Sequence, residues 1–158
     1  MSGFEDRYML RAIELARLGM EANQGGPFGS VVVRGGEIIG EGNNQVTSTN
    51  DPTAHAEVVA IRRACTHLGS FDLTGCIIYA SCEPCPMCLA AIYWSRAERI
   101  YIACDRHDAA RAGFDDAYIY DELSAPPDKR QVPLEQKLRE TGIAVFEDWI
   151  AKPDKIEY

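Results

Sequence analysis

The chain has 158 residues, 46% of them hydrophobic and 25% charged, with 16 basic against 24 acidic side chains and a net charge of −8. That is the size and composition of one globular domain able to bury a core without disulfides, and the acidic balance argues against the broad basic footprint that nucleic acid requires. No apolar run nears the length of a membrane span, and Glu5, Asp6, Arg7, Arg11 and Glu14 interrupt the place where a secretion signal would have its apolar centre. The composition therefore predicts a single cytoplasmic domain over residues 1–158 with a small neutral substrate, and neither a membrane nor nucleic acid as partner.

In chain order, "FEDRYMLRAIELARLGM" (4–20) spaces Met9, Ala12, Ile13, Ala16 and Met20 three and four apart, which predicts an amphipathic helix. "SVVVRGGEIIGEG" predicts an antiparallel strand pair turning at Arg34-Gly35-Gly36. After polar "NNQVTSTNDPT", Asp51-Pro52 predicts a cap and first turn for a helix running to about Leu68. "CIIYASC" reads as a buried strand, "CPMCLAAIYWSR" as a helix opening on its cysteines, and "ERIYIAC" as a second buried strand. Strands alternating with helices predict an α/β layered domain with parallel neighbours and helices on both faces of the sheet. Beyond Cys104, "HDAARAGFDDAYIYDELS" reads as partly helical. The rest is a proline-interrupted polar tail with helical patches, hinged at Pro126-Pro127, which packs on its own domain or reaches a partner subunit.

Six cysteines in an intracellular chain are read as reduced, so a tight cluster points to metal or catalysis before disulfides. Cys85 and Cys88, three apart at a helix start, face one side, and His55 offers a third donor. Zinc held by three nitrogen and sulfur ligands keeps its fourth position for water, the arrangement of a catalytic site. Glu57, two residues after His55, diverges from it inside a regular helix; the two converge only if His55 sits in the first turn and the glutamate bends across to serve as base. Both helix starts would aim their positive ends at the ligands and favour thiolates.

Other readings of the same residues stay open. Cys82 suggests an iron–sulfur cluster, but the fourth cysteine such a cluster needs is replaced by Ile92. Cys82 as a fourth ligand would close the site into a purely structural one and leave Glu57 without a role. Cys65, Cys76, Cys82 and Cys104 read as small packed hydrophobes. Asp115 and Asp116 can be a helix cap, Phe28 and Trp94 plain core, and Tyr158 a solvated terminus.

His55-Ala56-Glu57 with Pro84-Cys85-Pro86-Met87-Cys88 fits the H-x-E…P-C-x-x-C pattern of zinc deaminases acting on bases. The chain resembles the cytidine deaminase-like superfamily, and within it the bacterial guanine deaminase family, through "GGPFG", "NDPTAHAE", "SCEPCPMC", "AIYW", "GFDD" and the terminal tyrosine. The resemblance implies a three-layer αβα sandwich with a five-stranded mixed sheet, and a homodimer in which segment 124–158 is exchanged between subunits. It implies one Zn2+ per subunit on His55, Cys85 and Cys88, with Glu57 as proton shuttle. It further implies a purine base held by Asn44 and the backbone of Ala56 and walled by Phe28 and Trp94, with Asp116 as a second catalytic residue that bonds the 2-amino group and helps protonate the departing ammonia, and the site closed by Tyr158 of the neighbouring subunit. The implied reaction turns guanine into xanthine and ammonia. Deamination of tRNA adenosine or of cytosine is the enzymatic rival, and a zinc-stabilised binding module without turnover is the rival of another class.

Overall fold

The computed structural model describes residues 3–114 and 116–158. They form two compact units, 1–117 and 118–158, the first of which holds the sheet. Helix α1 (Asp6–Glu21) buries Tyr8, Met9, Ala12, Ala16 and Gly19 along one stripe, the i, i+3, i+4, i+7 face that an amphipathic helix turns to a core. Strands β1 (Gly29–Arg34) and β2 (Glu37–Asn43) pair antiparallel across a two-residue turn. Gly35 and Gly36 both have positive φ there, at 59° and 87°, the conformation that glycine adopts without a Cβ penalty and that matches the twist of a tight hairpin. A register shift between Val32 and Val33 adds a bulge.

After the short helix α2 (Val46–Thr49) come α3 (Ala56–Leu68), β3 (Cys76–Cys82), α4 (Pro86–Ser95), β4 (Arg99–Cys104) and α5 (Arg106–Arg111). The sheet order is β2-β1-β3-β4. Alternation along the strands splits the core into two layers. Val31, Val33, Ile77 and Tyr79 pack with Tyr8, Met9 and Ala12 of α1, whereas Val32, Cys76 and Ile78 pack with Ala60 and Ala64 of α3 and Ile92 of α4. This is the α/β sandwich with helices on both faces.

Three expectations are corrected. The described residues form four strands, not five. After β4, Asp105 accepts from the amides of His107 and Asp108 in a capping box that turns the chain into α5, and the apolar run Ile143–Phe146 is helical within α7. Parallel pairing is confined to β3 and β4, because β3 joins β1 antiparallel. The helix foreseen from Asp51-Pro52 begins only at Ala56. The Asp51 carboxylate accepts from the backbone and hydroxyl of Thr53, at 2.8 and 2.7 Å, a local turn that competes with helix.

The second unit contains most of α6 (Ala117–Ser124), a 3-10 turn at Pro127–Lys129 and α7 (Arg139–Ala151). Arg130 closes the turn by donating to the carbonyls of Ala125 and Leu123. Val145, Phe146 and Ile150 of α7 are exposed. Among the described residues no helix is long and apolar enough to cross a membrane.

Candidate metal centre and substrate cavity

The starts of α3 and α4 meet at one point. His55 is the N-cap of α3 and Cys85 the N-cap of α4; both have extended backbone, and neither side chain caps its own helix. Pro86 at the first position of α4 fits a turn that has no use for its amide, and Cys88, fully buried, follows on the same side. The His55 Nδ1 atom lies 3.5 Å from Cys85 Sγ and 3.4 Å from Cys88 Sγ, and the three donor atoms lie within 4.8 Å of one another. Zinc bonds of about 2.0–2.1 Å to nitrogen and about 2.3 Å to sulfur at the tetrahedral angle put nitrogen and sulfur roughly 3.5 Å apart. The donor set therefore fits zinc in both chemistry and spacing.

Proton affinities in the cluster are those of donors pressed together. The Cys85 thiol is drawn down to about 4, chiefly by the Cys88 side chain and also by His55, against its burial. Cys88 is driven the opposite way by Cys85 and by burial. His55 is raised, first by its contact with Cys85. One thiolate is already favoured, and a divalent cation would take the place of the remaining proton.

Glu57 is the second residue of α3 and is buried, 7% exposed. Because His55 stands outside the helix, the two-residue spacing no longer forces the side chains apart, and both line the same cavity of 340 Å³. Burial raises the Glu57 carboxyl above its ordinary value, as a group that must alternate between acid and base requires. Asp116 lines the cavity too and is likewise raised, mainly by burial.

Phe28 contributes one wall, and its ring meets Phe114 edge to face, with centroids 4.9 Å apart and planes at 85°. Asn44 is buried beside them. Its Oδ1 accepts from the amides of Gly26 and Val46, each at 3.2 Å, so the amide has its donor end to offer a ligand.

The structure thus brings His55, Glu57, Cys85, Asp116, Phe28 and Asn44 to one cavity, with Cys88 beneath it. Ala56 is buried as the first residue of α3 and is not among the lining residues. Trp94, in the last turn of α4, is 65% exposed and does not line the cavity either. Tyr158 belongs to the second unit and is exposed. Asp115 lies outside the described residues. Sequence reasoning missed Phe114, although the "GFDD" stretch contains it, and Glu83, the middle of "SCEPC", which also lines the cavity.

The cytidine and deoxycytidylate deaminase zinc-binding region matches residues 3–104. The chain is 50% identical over 153 residues to guanine deaminase of Bacillus subtilis, covering 97% of this chain and 98% of that one. A crystal structure of guanine deaminase from Bacillus subtilis superposes with a TM-score of 0.95 at 49% identity, over 99% of both chains. A tRNA-specific adenosine deaminase of Aquifex aeolicus is 46% identical over 81 residues, which span 51% of this chain and 54% of that relative.

Proposed function

The chain belongs to the cytidine and deoxycytidylate deaminase zinc-binding family, and from that membership we propose that it is a zinc-dependent aminohydrolase converting guanine to xanthine and ammonia. The observation that carries the reading is the His55, Cys85, Cys88 cluster beneath a cavity lined by two carboxyls, buried Glu57 and half-buried Asp116, both raised above their ordinary values by burial, against an aromatic wall. Zinc held by those three side chains supplies a Lewis acid that makes water nucleophilic near neutral pH.

The remaining work falls to the chain itself. Phe28 and Phe114 present ring faces and edges to a flat base, and Asn44 donates to one of its acceptors. Asp116 accepts from the exocyclic amine and so fixes which carbon faces the nucleophile. Glu57 takes the proton of the attacking water and delivers it to the departing nitrogen. Its burial keeps both protonation states accessible in one cycle.

The reading extends to a homodimer in the cytoplasm, built from one domain over 1–158 whose segment 124–158 is exchanged, so that Tyr158 completes the site of the neighbouring subunit, with the backbone of Ala56 and the Trp94 ring as further base contacts. The likeness to guanine deaminase at 50% identity over 97% of the chain, against likeness to tRNA-specific adenosine deaminases over 48–72% of it, supports the free base over nucleic acid.

The test is ammonia release from guanine, adenine, cytosine and tRNA, with zinc measured in each preparation. Guanine alone is expected to turn over, and Glu57→Gln is expected to keep one zinc per chain while losing at least about 10²-fold in kcat. Equal turnover of tRNA or cytosine, or an active Glu57→Gln enzyme, overturns the reading.

A further inference from the structure

Glu83 sits between the metal-ligand loop and the far wall of the cavity. Its backbone amide donates to the Cys104 carbonyl at 2.9 Å, which joins the loop to the end of β4. Both oxygens of its carboxylate accept from Arg106, the first residue of α5. One oxygen accepts the Arg106 Nε and Nη2 donors at 3.0 and 2.6 Å, and the other accepts the Arg106 backbone amide at 3.0 Å. The Cys82 thiol adds a contact to the carbonyl of Asp105. Three of the roughly four acceptor sites of the Glu83 carboxylate are thus taken by Arg106 although the residue lines the cavity.

What the clamp holds is a six-residue helix, far shorter than a helix stable by itself. Its position must come from its anchors. That helix carries Ala109, whose side lines the cavity and whose carbonyl accepts the Phe114 amide at 3.0 Å. Phe114 in turn meets Phe28, and Asp116 follows two residues later.

We propose that Glu83 is a positioning residue: through Arg106 it fixes α5, and with it the Phe114 ring and the Asp116 carboxylate, relative to the metal ligands. The kinetic part of this proposal rests on the guanine reading. The conformational part does not.

The test compares zinc-loaded wild type with Glu83→Ala, Arg106→Ala and the double variant. Both singles are expected to retain one zinc per chain and to lose at least about tenfold in kcat/KM for guanine, mainly through KM, because a displaced ring wall weakens binding of the base. Since the two residues act as one unit, the double variant should fall within about twofold of the worse single. Glu83→Gln, which keeps one acceptor oxygen for Arg106 and the volume of the side chain, should recover part of the loss, and it carries the same comparison if Glu83→Ala does not fold. Amide hydrogen exchange should quicken over residues 106–114 in both singles and stay unchanged over 86–95. Losses that multiply, an unaltered KM, or exchange that quickens over 86–95 together with loss of zinc would each overturn the clamp. If wild type does not turn over guanine, the functional reading fails, while the exchange measurement still decides the role of Glu83.

Discussion

Gly42→Ala is the substitution that tests how the sheet sets the metal centre. Backbone entropy alone favours alanine, since replacing glycine at a position whose conformation alanine tolerates stabilises by about 0.4–1 kcal/mol. The structure reverses the sign. A Cβ on Gly42 would stand 2.2 Å from the Ala56 carbonyl oxygen, 2.6 Å from the Ala60 amide nitrogen and 3.1 Å from the Val59 Cβ. Carbon and oxygen approach no closer than about 3.3 Å even in favourable contacts, so the start of α3 must retreat by roughly 1 Å. Overpacking of that size costs about 2–3 kcal/mol, which in a chain of this length lowers Tm by roughly 4–12 °C. Ala56 lies between His55 and Glu57, so the retreat also drags a ligand and the base away from Cys85 and Cys88, and a misplacement near 1 Å is enough for about 10²-fold in turnover. The assay is thermal unfolding of the zinc-loaded protein together with guanine turnover per bound zinc. Gly40→Ala is the control: its Cβ would meet the Ala60 oxygen at 2.5 Å and the Ala64 nitrogen at 2.7 Å, one turn farther from the ligands. It should destabilise by a similar amount and retain more activity. A Gly42→Ala protein with wild-type Tm, or one no less active than Gly40→Ala, refutes the reasoning.

Two further outcomes are expected. The Glu41 carboxylate is held below its ordinary value of 4.5, first by its hydrogen bonds to Arg11, made at 2.7 and 2.8 Å. A depressed folded value means stability that is present above the unfolded pKa and lost as pH falls through the folded one. The stability difference between wild type and Glu41→Gln should therefore be complete at pH 7, at about 1 kcal/mol or less for a solvent-accessible pair, begin to shrink as pH falls toward 4.5 and disappear only below the depressed folded value; chemical denaturation across pH 3–7 measures it, and a difference independent of pH removes the pair from the account. Deletion from Pro153 onward should leave the folded first unit and its zinc intact while guanine turnover falls at least about tenfold, as expected for losing a group that closes the site; a truncated chain with full kcat/KM shows that Tyr158 has no part in it.

Much of this was legible in the chain before folding, for identifiable reasons. Period-3.6 spacing from Met9 to Met20, the Gly35-Gly36 turn and the continuously apolar runs of β1 and β3 are local signals, and they gave α1, the hairpin and the buried strands nearly to the residue. The helix start at Ala56 was misplaced because Asp51 has two local partners in Thr53, and only tertiary contacts choose between a turn and a cap. The fifth strand was implied by likeness alone. Phe114 and Glu83 stayed hidden because the cavity wall is assembled from segments 26–28, 44–47, 83–85 and 109–116, and no spacing in one segment encodes its distance from another.

The metal ligands were legible as a motif, His55-Ala56-Glu57 with Pro84-Cys85-Pro86-Met87-Cys88, and their placement at helix starts has a physical reason. A helix N-cap ordinarily takes Ser, Thr, Asp or Asn, whose side chain satisfies an amide of the first turn, and omitting that bond costs about 1 kcal/mol. At α3 and α4 the position is filled by His55 and Cys85, and neither caps. Helices α1, α2 and α7 lack that bond as well; what sets α3 and α4 apart is that their uncapped starts converge to within 3.5 Å at donor side chains. The N-cap is also where a side chain projects beyond the helix end with the unpaired amides and the positive end of the dipole behind it. At α4 that position supports the Cys85 thiolate, and at α3 it carries His55 out toward the same cation site.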